Sequence, residues 1–184
     1  ESYTEVRDAI AHDWISFLIN YDIIPIMVPN SLPDPNIYFE AISPAGLILT
    51  GGDSLGDINQ PTVRDRAEEK LLSMAVKIGL PVFGVCRGLQ TINRFFGGNM
   101  NTQLKQNHVA ITHKISFNEG FFGTGHQSRF VVNSFHEHGV EIDQLASSLK
   151  SIAVSDDNII EGLIHPNLPI IAIQWHPERK SPSK

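Results

Sequence analysis

Leu80-Pro81-Val82-Phe83-Gly84-Val85-Cys86-Arg87-Gly88-Leu89-Gln90-Thr91-Ile92 contains the one cysteine of the chain. An apolar run ends, a small-residue turn follows, and a helical pattern begins at Gly88. A nucleophile held on such a turn stands outward at the top of a sheet, beside the amides that open the helix. Glycines two before and two after Cys86 let the backbone turn tightly. Free cysteine is commonly a buried core residue, so the strand–elbow–helix context is what marks this one as a nucleophile.

The pattern around the elbow alternates. Residues 4–20 read as an amphipathic helix, with Val6, Ala9, Ile10, Trp14, Phe17 and Leu18 at three- and four-residue steps. Residues 23–28 read as a short buried strand closed by Pro29, and 35–42 as a short helix. A strand over 45–50 ends in Gly51-Gly52. A helix over 64–78 is stopped by Gly79 and Pro81. A strand over 81–85 and a helix over 88–96 flank the cysteine. Unbroken apolar strands alternating with helices imply a parallel sheet covered on both faces. Residues 113–117, 129–133, 151–155, 159–164 and 170–174 are β-rich, as in a meander beside the parallel core. The reading is an α/β three-layer sandwich: a mostly parallel central sheet plus a β-rich C-terminal portion. No repeat or linker divides it, so one domain over residues 1–184 is expected, with a frayed tail at 180–184. Doubly wound folds place a strand before their first helix, so a strand preceding residue 1 is expected as well.

Composition narrows the function. Hydrophobic residues make up 41% of the 184 positions, enough for a real core. The net charge is -6 and no basic stripe appears, which argues against a nucleic-acid partner. Apolar runs are too short to span a bilayer, so no membrane is expected. No basic start followed by an apolar core marks export, and one cysteine forms no internal disulfide. A reducing cytoplasm is the expected home.

Near the end stands Ile170-Ile171-Ala172-Ile173-Gln174-Trp175-His176-Pro177-Glu178. Pro177 pushes His176 into an extended conformation. Residues two apart then share a side, with Cα atoms roughly 6–7 Å apart. Glu178 can turn back onto one ring nitrogen of His176 and leave the other facing out, as in a base oriented by a carboxylate. A free thiol has a pKa of about 8.5, lowered by an imidazolium or a helix N-terminus; both are expected to act on Cys86. Attack on a carbonyl needs donors for the oxyanion. The Arg87 N–H is one candidate, and the N–H of Gly52 or Asp53 the other. His136 and His138 suggest a metal pair but lack an evident third ligand, and His108 and His113 read as structural. No metal and no cofactor are expected.

Gly84-Val85-Cys86-Arg87-Gly88-Leu89-Gln90, followed by Asn93 and Gly97-Gly98, resembles the nucleophile segment of class I glutamine amidotransferases, whose sheet is flavodoxin-like. Gln174-Trp175-His176-Pro177-Glu178 resembles their His-x-Glu segment, and Thr50-Gly51-Gly52 their oxyanion loop. With Val132-Asn133-Ser134-Phe135-His136, the chain is similar to the free-standing γ-glutamyl hydrolase branch, peptidase family C26, over roughly residues 45–178. The resemblance implies Cys86, His176 and Glu178 as a triad and Gly52 and Arg87 as backbone oxyanion donors. It implies Gln90, Asn133, Ser134 and His136 as substrate-binding residues. The activity implied is hydrolysis of a γ-glutamyl amide through a thioester. The leaving group stays open between γ-aminobutyrate and a nucleotide amidate such as γ-glutamyl-CDP-amidate. The alternatives are a glutaminase subunit serving a separate synthetase and a non-catalytic binding protein on the same fold. The partners implied are a small γ-glutamyl substrate, with room for a homo-oligomer or a transient synthetase. The brief segment between Gly52 and Arg64 departs from the branch and bears on the amine side of the pocket.

Overall fold

The computed structural model describes residues 5–35, 37–104, 108–118, 121 and 128–180. In chain order the elements are α1 (His12–Ile19), α2 (Ile37–Ile42), β1 (Leu47–Leu49), α3 (Val63–Ile78), β2 (Val82–Val85) and α4 (Arg87–Phe95). They continue with β3 (Val109–Phe117), β4 (Arg129–Phe135), a 3-10 turn (Ile142–Gln144), β5 (Lys150–Ser155), β6 (Ile160–Ile164) and β7 (Ile170–Ile173). One sheet runs in the order β1-β2-β7-β6-β5-β3-β4. β1, β2 and β7 are parallel, and every pairing from β7 out to β4 is antiparallel. The β-rich second half therefore extends the parallel core within one mixed sheet.

Period-two alternation places a core on each face. Val82, Ile170 and Ala172 pack with Leu72, Ala75, Leu89 and Ile92 of α3 and α4. Val85 and Ile173 face the other way, onto Trp14 and Leu18 of α1. The layers are helix, sheet, helix. α3 opens on a capping box between Thr62 and Asp65 and closes on Gly79 in the left-handed region at φ 69°.

Two expectations fail near the start. Among the described residues, 23–28 pair with no strand, and Ile24 is 81% exposed. Pro25 removes one of the donors that a ladder needs. The expected helix over 4–20 begins only at His12. Upstream, the Asp8 carboxylate accepts from the Asn30 backbone N–H (2.9 Å) and from Asn30 Nδ2 (2.6 Å), which ties the segment across to residue 30. Residue 4 and the expected frayed positions 181–184 lie outside the described residues. Among the described residues no helix is long and apolar enough to cross a membrane.

Candidate active site

β2 ends on Cys86, which caps α4 with φ 53° and ψ -107°. A non-glycine residue in that region stores local strain and marks a functional constraint. The turn closes only because Gly88 lacks a side chain: a Cβ there would sit 2.1 Å from the Leu49 carbonyl oxygen of β1. Below the turn the Arg87 side chain is fully buried. It forms an ion pair with Asp65 at 2.5 Å and another with Glu68. Arg64 bridges Glu68 at 2.7 Å and Arg94 bridges Asp65 at 3.0 Å, so α4 is bolted to α3 by a connected charge network. Burial opposes ionisation of Asp65. Hydrogen bonds from Thr62 and Gly56, with the Arg87 charge, outweigh it and hold the carboxyl below its usual range.

The parallel neighbours β1 and β7 bring the other groups to the same edge. The Cys86 N–H donates to the Ile173 carbonyl at 2.8 Å, which fixes the elbow against the end of β7. Three residues on, His176 Nδ1 lies 2.6 Å from Glu178 Oε1, both side chains being buried. A Cβ placed on Gly51 would be 2.6 Å from His176 Cε1 and 3.5 Å from Cys86 Cβ. The Cys86 Cβ and the His176 ring thus converge on the same glycine. Gly52 follows at φ +140°, and Arg64 Nη2 donates to the carbonyls of Thr50 (2.8 Å) and Gly51 (3.1 Å), pinning the loop from outside.

Burial pushes the Cys86 thiol up to about 11. The Arg87 backbone N–H and the Arg179 charge pull the other way, and Glu178 and Glu161 add to the rise. This direction is opposite to the lowered thiol expected from the imidazole and the helix end, and desolvation of the thiolate is its largest cause. The arrangement suits a neutral thiol that gives up its proton only as it attacks.

A cleft of about 320 Å³ opens over the sulfur, bounded by Gly52, Asp53 and Ser54 on one side and by Phe135, His136, Glu137 and His138 on the other. Gln90 and His136, expected at the substrate, line it. Gln90 Nε2 donates to the His138 carbonyl at 3.0 Å. The Asn133 and Ser134 side chains, also expected at the substrate, bond to the protein's own backbone. Asn133 Nδ2 donates to the carbonyls of His176 (2.8 Å) and Arg179 (3.1 Å), and its Oδ1 accepts from the His176 N–H at 2.9 Å. Ser134 Oγ donates to the His108 carbonyl at 2.6 Å. Asn133 acts by shaping the turn that carries His176 and Glu178.

Sequence reading passed over Arg64, Gln174 and Glu161. The Arg64–Glu68 spacing of four, just after the Gly51-Gly52 loop, is a signal that could have singled out Arg64. Gln174 Nε2 comes within 3.9 Å of Cys86 Sγ. Glu161 is wholly buried beside His113 and His136, and its carboxyl lies below its usual range: contacts from the two imidazoles outweigh the opposing effect of burial.

The peptidase C26 family model matches residues 1–178. The gamma-glutamyl-CDP-amidate hydrolase of Campylobacter jejuni is 30% identical over 188 residues, covering 98% of this chain and 86% of that protein. A glutamine-hydrolysing GMP synthase subunit of Pyrococcus furiosus is 31% identical over 153 residues, covering 83% and 74%. Among solved structures, a putative GMP synthase subunit from Thermoplasma acidophilum superimposes with a TM-score of 0.72 at 24% identity. It covers 92% of this chain and 79% of that one, which is likeness of fold.

Proposed function

The chain belongs to the peptidase C26 family of glutamyl-amide hydrolases, and on that footing we propose that Cys86, His176 and Glu178 act as its catalytic triad. The observation that carries this reading is the convergence of Cys86 and His176 on Gly51, with Glu178 behind the ring. Sulfur attacks the γ-carbonyl of a glutamyl amide as His176 takes its proton. The backbone N–H groups of Arg87 and Gly52 hold the oxyanion. His176 then protonates the leaving nitrogen, and the amine or amidate departs from a glutamyl thioester. Water, deprotonated by His176, releases glutamate and restores the thiol. Glu178 keeps the imidazole in the tautomer and orientation that both steps need.

A cleft of about 320 Å³ is at the small end for ligand sites and suits the glutamyl half of a substrate. The leaving group then lies toward the loop after Gly52. The substrate class favoured is a γ-glutamyl nucleotide amidate, because the Campylobacter hydrolase aligns with 98% of the chain. A glutaminase subunit that passes ammonia to a synthetase is the second reading, favoured by the GMP synthase relatives.

Glutamate release is to be measured from γ-glutamyl-CDP-amidate, γ-glutamyl-γ-aminobutyrate and glutamine, and in parallel reactions hydroxylamine diverts the thioester to the hydroxamate. The amidate is expected to be cleaved fastest, with hydroxamate formed in every productive case. Full turnover by Cys86→Ser defeats the nucleophile assignment. Glutamine hydrolysis that rises only when a synthetase is added selects the second reading.

A further inference from the structure

Among the described residues, a second gathering of reactive side chains stands behind the cleft wall. His108 just ahead of β3, His113 on β3, His136 just past β4 and Glu161 on β6 each turn one donor atom to a common point, all within 4.8 Å of one another. Glu161 Oε1 is 3.2 Å from His113 Nε2 and 3.6 Å from His136 Nε2. Neither contact is aligned as a hydrogen bond. His108 Nδ1, His113 Nε2, His136 Nε2 and both Glu161 carboxylate oxygens are buried without a hydrogen-bond partner. Native interiors rarely leave one such atom unmatched; here five face one another.

The far sides of two rings are fixed. His108 Nε2 lies 2.8 Å from Asp157 Oδ2, and Ser155 Oγ donates to the other oxygen of Asp157 at 2.6 Å. His136 Nδ1 lies 3.0 Å from the His138 carbonyl. Each partner takes the ring N–H, so the inward nitrogen presents a lone pair. Metal-bound imidazoles are held in this way, by a carboxylate or a carbonyl on the outer nitrogen. Bonds of about 2.0–2.1 Å to a tetrahedral zinc put ligand atoms about 3.3 Å apart. The two Glu161–histidine distances bracket that spacing. Imidazole and carboxylate together suit zinc, cobalt or iron better than the oxygen-seeking magnesium and calcium.

We propose that His108 Nδ1, His113 Nε2, His136 Nε2 and a Glu161 oxygen form a four-ligand site for a divalent transition metal of the zinc class. All four positions are supplied by protein, so the site is structural. It ties β3, β6 and the end of β4 together and fixes the wall from Phe135 to His138. Through the His138 carbonyl, which meets both the His136 ring and Gln90 Nε2, it also sets the position of Gln90.

The test is metal binding by the folded chain, independent of any turnover. Chain freed of metal by a chelator is titrated with Co²⁺, reading the ligand-field absorption of a tetrahedral ion, and zinc retention after dialysis is measured. One equivalent is expected in the wild type and in Cys86→Ser, with the same spectrum, because the thiol lies outside the site. His113→Ala with Glu161→Gln is expected to abolish the tetrahedral band. Asp157→Asn, which keeps all four ligands, is expected to weaken affinity about 10–100-fold. Wild-type protein that stays folded and shows no tetrahedral band overturns the proposal, and so does a band lost in Cys86→Ser.

Discussion

The buried thiol makes a sharp prediction about reactivity. With Cys86 pushed up to about 11, the resting thiolate fraction at pH 7 is about 10⁻⁴, against roughly 3% for an ordinary cysteine of pKa about 8.5. Alkylation of substrate-free protein by iodoacetamide is expected to be at least about 100-fold slower at pH 7 than that of a free thiol. It should rise about tenfold per pH unit with no plateau below pH 10. The same shift acts on stability. The folded state holds the proton more tightly than the unfolded state, whose thiol titrates near 9.0. Stability is thus expected to be full below pH 9 and to decline between pH 9 and 11, by about 2–3 kcal/mol in all. Cys86→Ala removes that slope and is the control for every other group titrating there. An alkylation plateau between pH 5 and 7 refutes the reasoning, since it reports a preformed thiolate–imidazolium pair.

Three further outcomes follow from the site. Glu178→Gln is expected to lower kcat by about 10²–10⁴ with KM little changed, because the amide no longer orients or stabilises the imidazolium; steady-state kinetics on the preferred substrate check it. Gly51→Ala puts a methyl group 2.6 Å from His176 Cε1 and is expected to abolish turnover through displacement of the ring, with the melting temperature little changed. Arg87→Ala keeps the backbone donor but strands Asp65 and Glu68. A loss of about 3 kcal/mol is expected, lowering Tm by roughly 6–12 °C for a domain of this size, and calorimetry reads it.

What was legible in the sequence is what local chemistry dictates. The apolar run into Gly84-Val85-Cys86-Arg87-Gly88 announced β2, the elbow and α4, because only a small-residue turn lets a helix start so close to β1. The apolar run Ile170–Ile173 before Gln174 announced β7, but Pro177 and Glu178 stand in a turn, with the Arg179 N–H donating to the His176 carbonyl at 3.3 Å, where extended chain was expected. Residues 23–28 misled because their apolar content outweighed Pro25, whereas the ladder counts donors. The first turns expected of α1 were lost to a contact with residue 30, 22 positions away, which periodicity cannot report. The bonds from Asn133 to the carbonyls of His176 and Arg179 were not legible, because those residues lie more than 40 positions away.

The gathering of His108, His113, His136 and Glu161 was hidden for the same reason. Their spacings of 5, 23 and 25 residues follow no ligand motif, and each residue read alone is an ordinary partly buried polar side chain. Only the antiparallel order β6-β5-β3-β4 brings them to one point. β5 lies between β6 and β3, so Glu161 reaches the three histidines from across the sheet. A triad at the ends of neighbouring parallel strands can be read from local turns. A cluster assembled across antiparallel strands needs the register as well, so the part of this protein that turned on register was the part the sequence concealed.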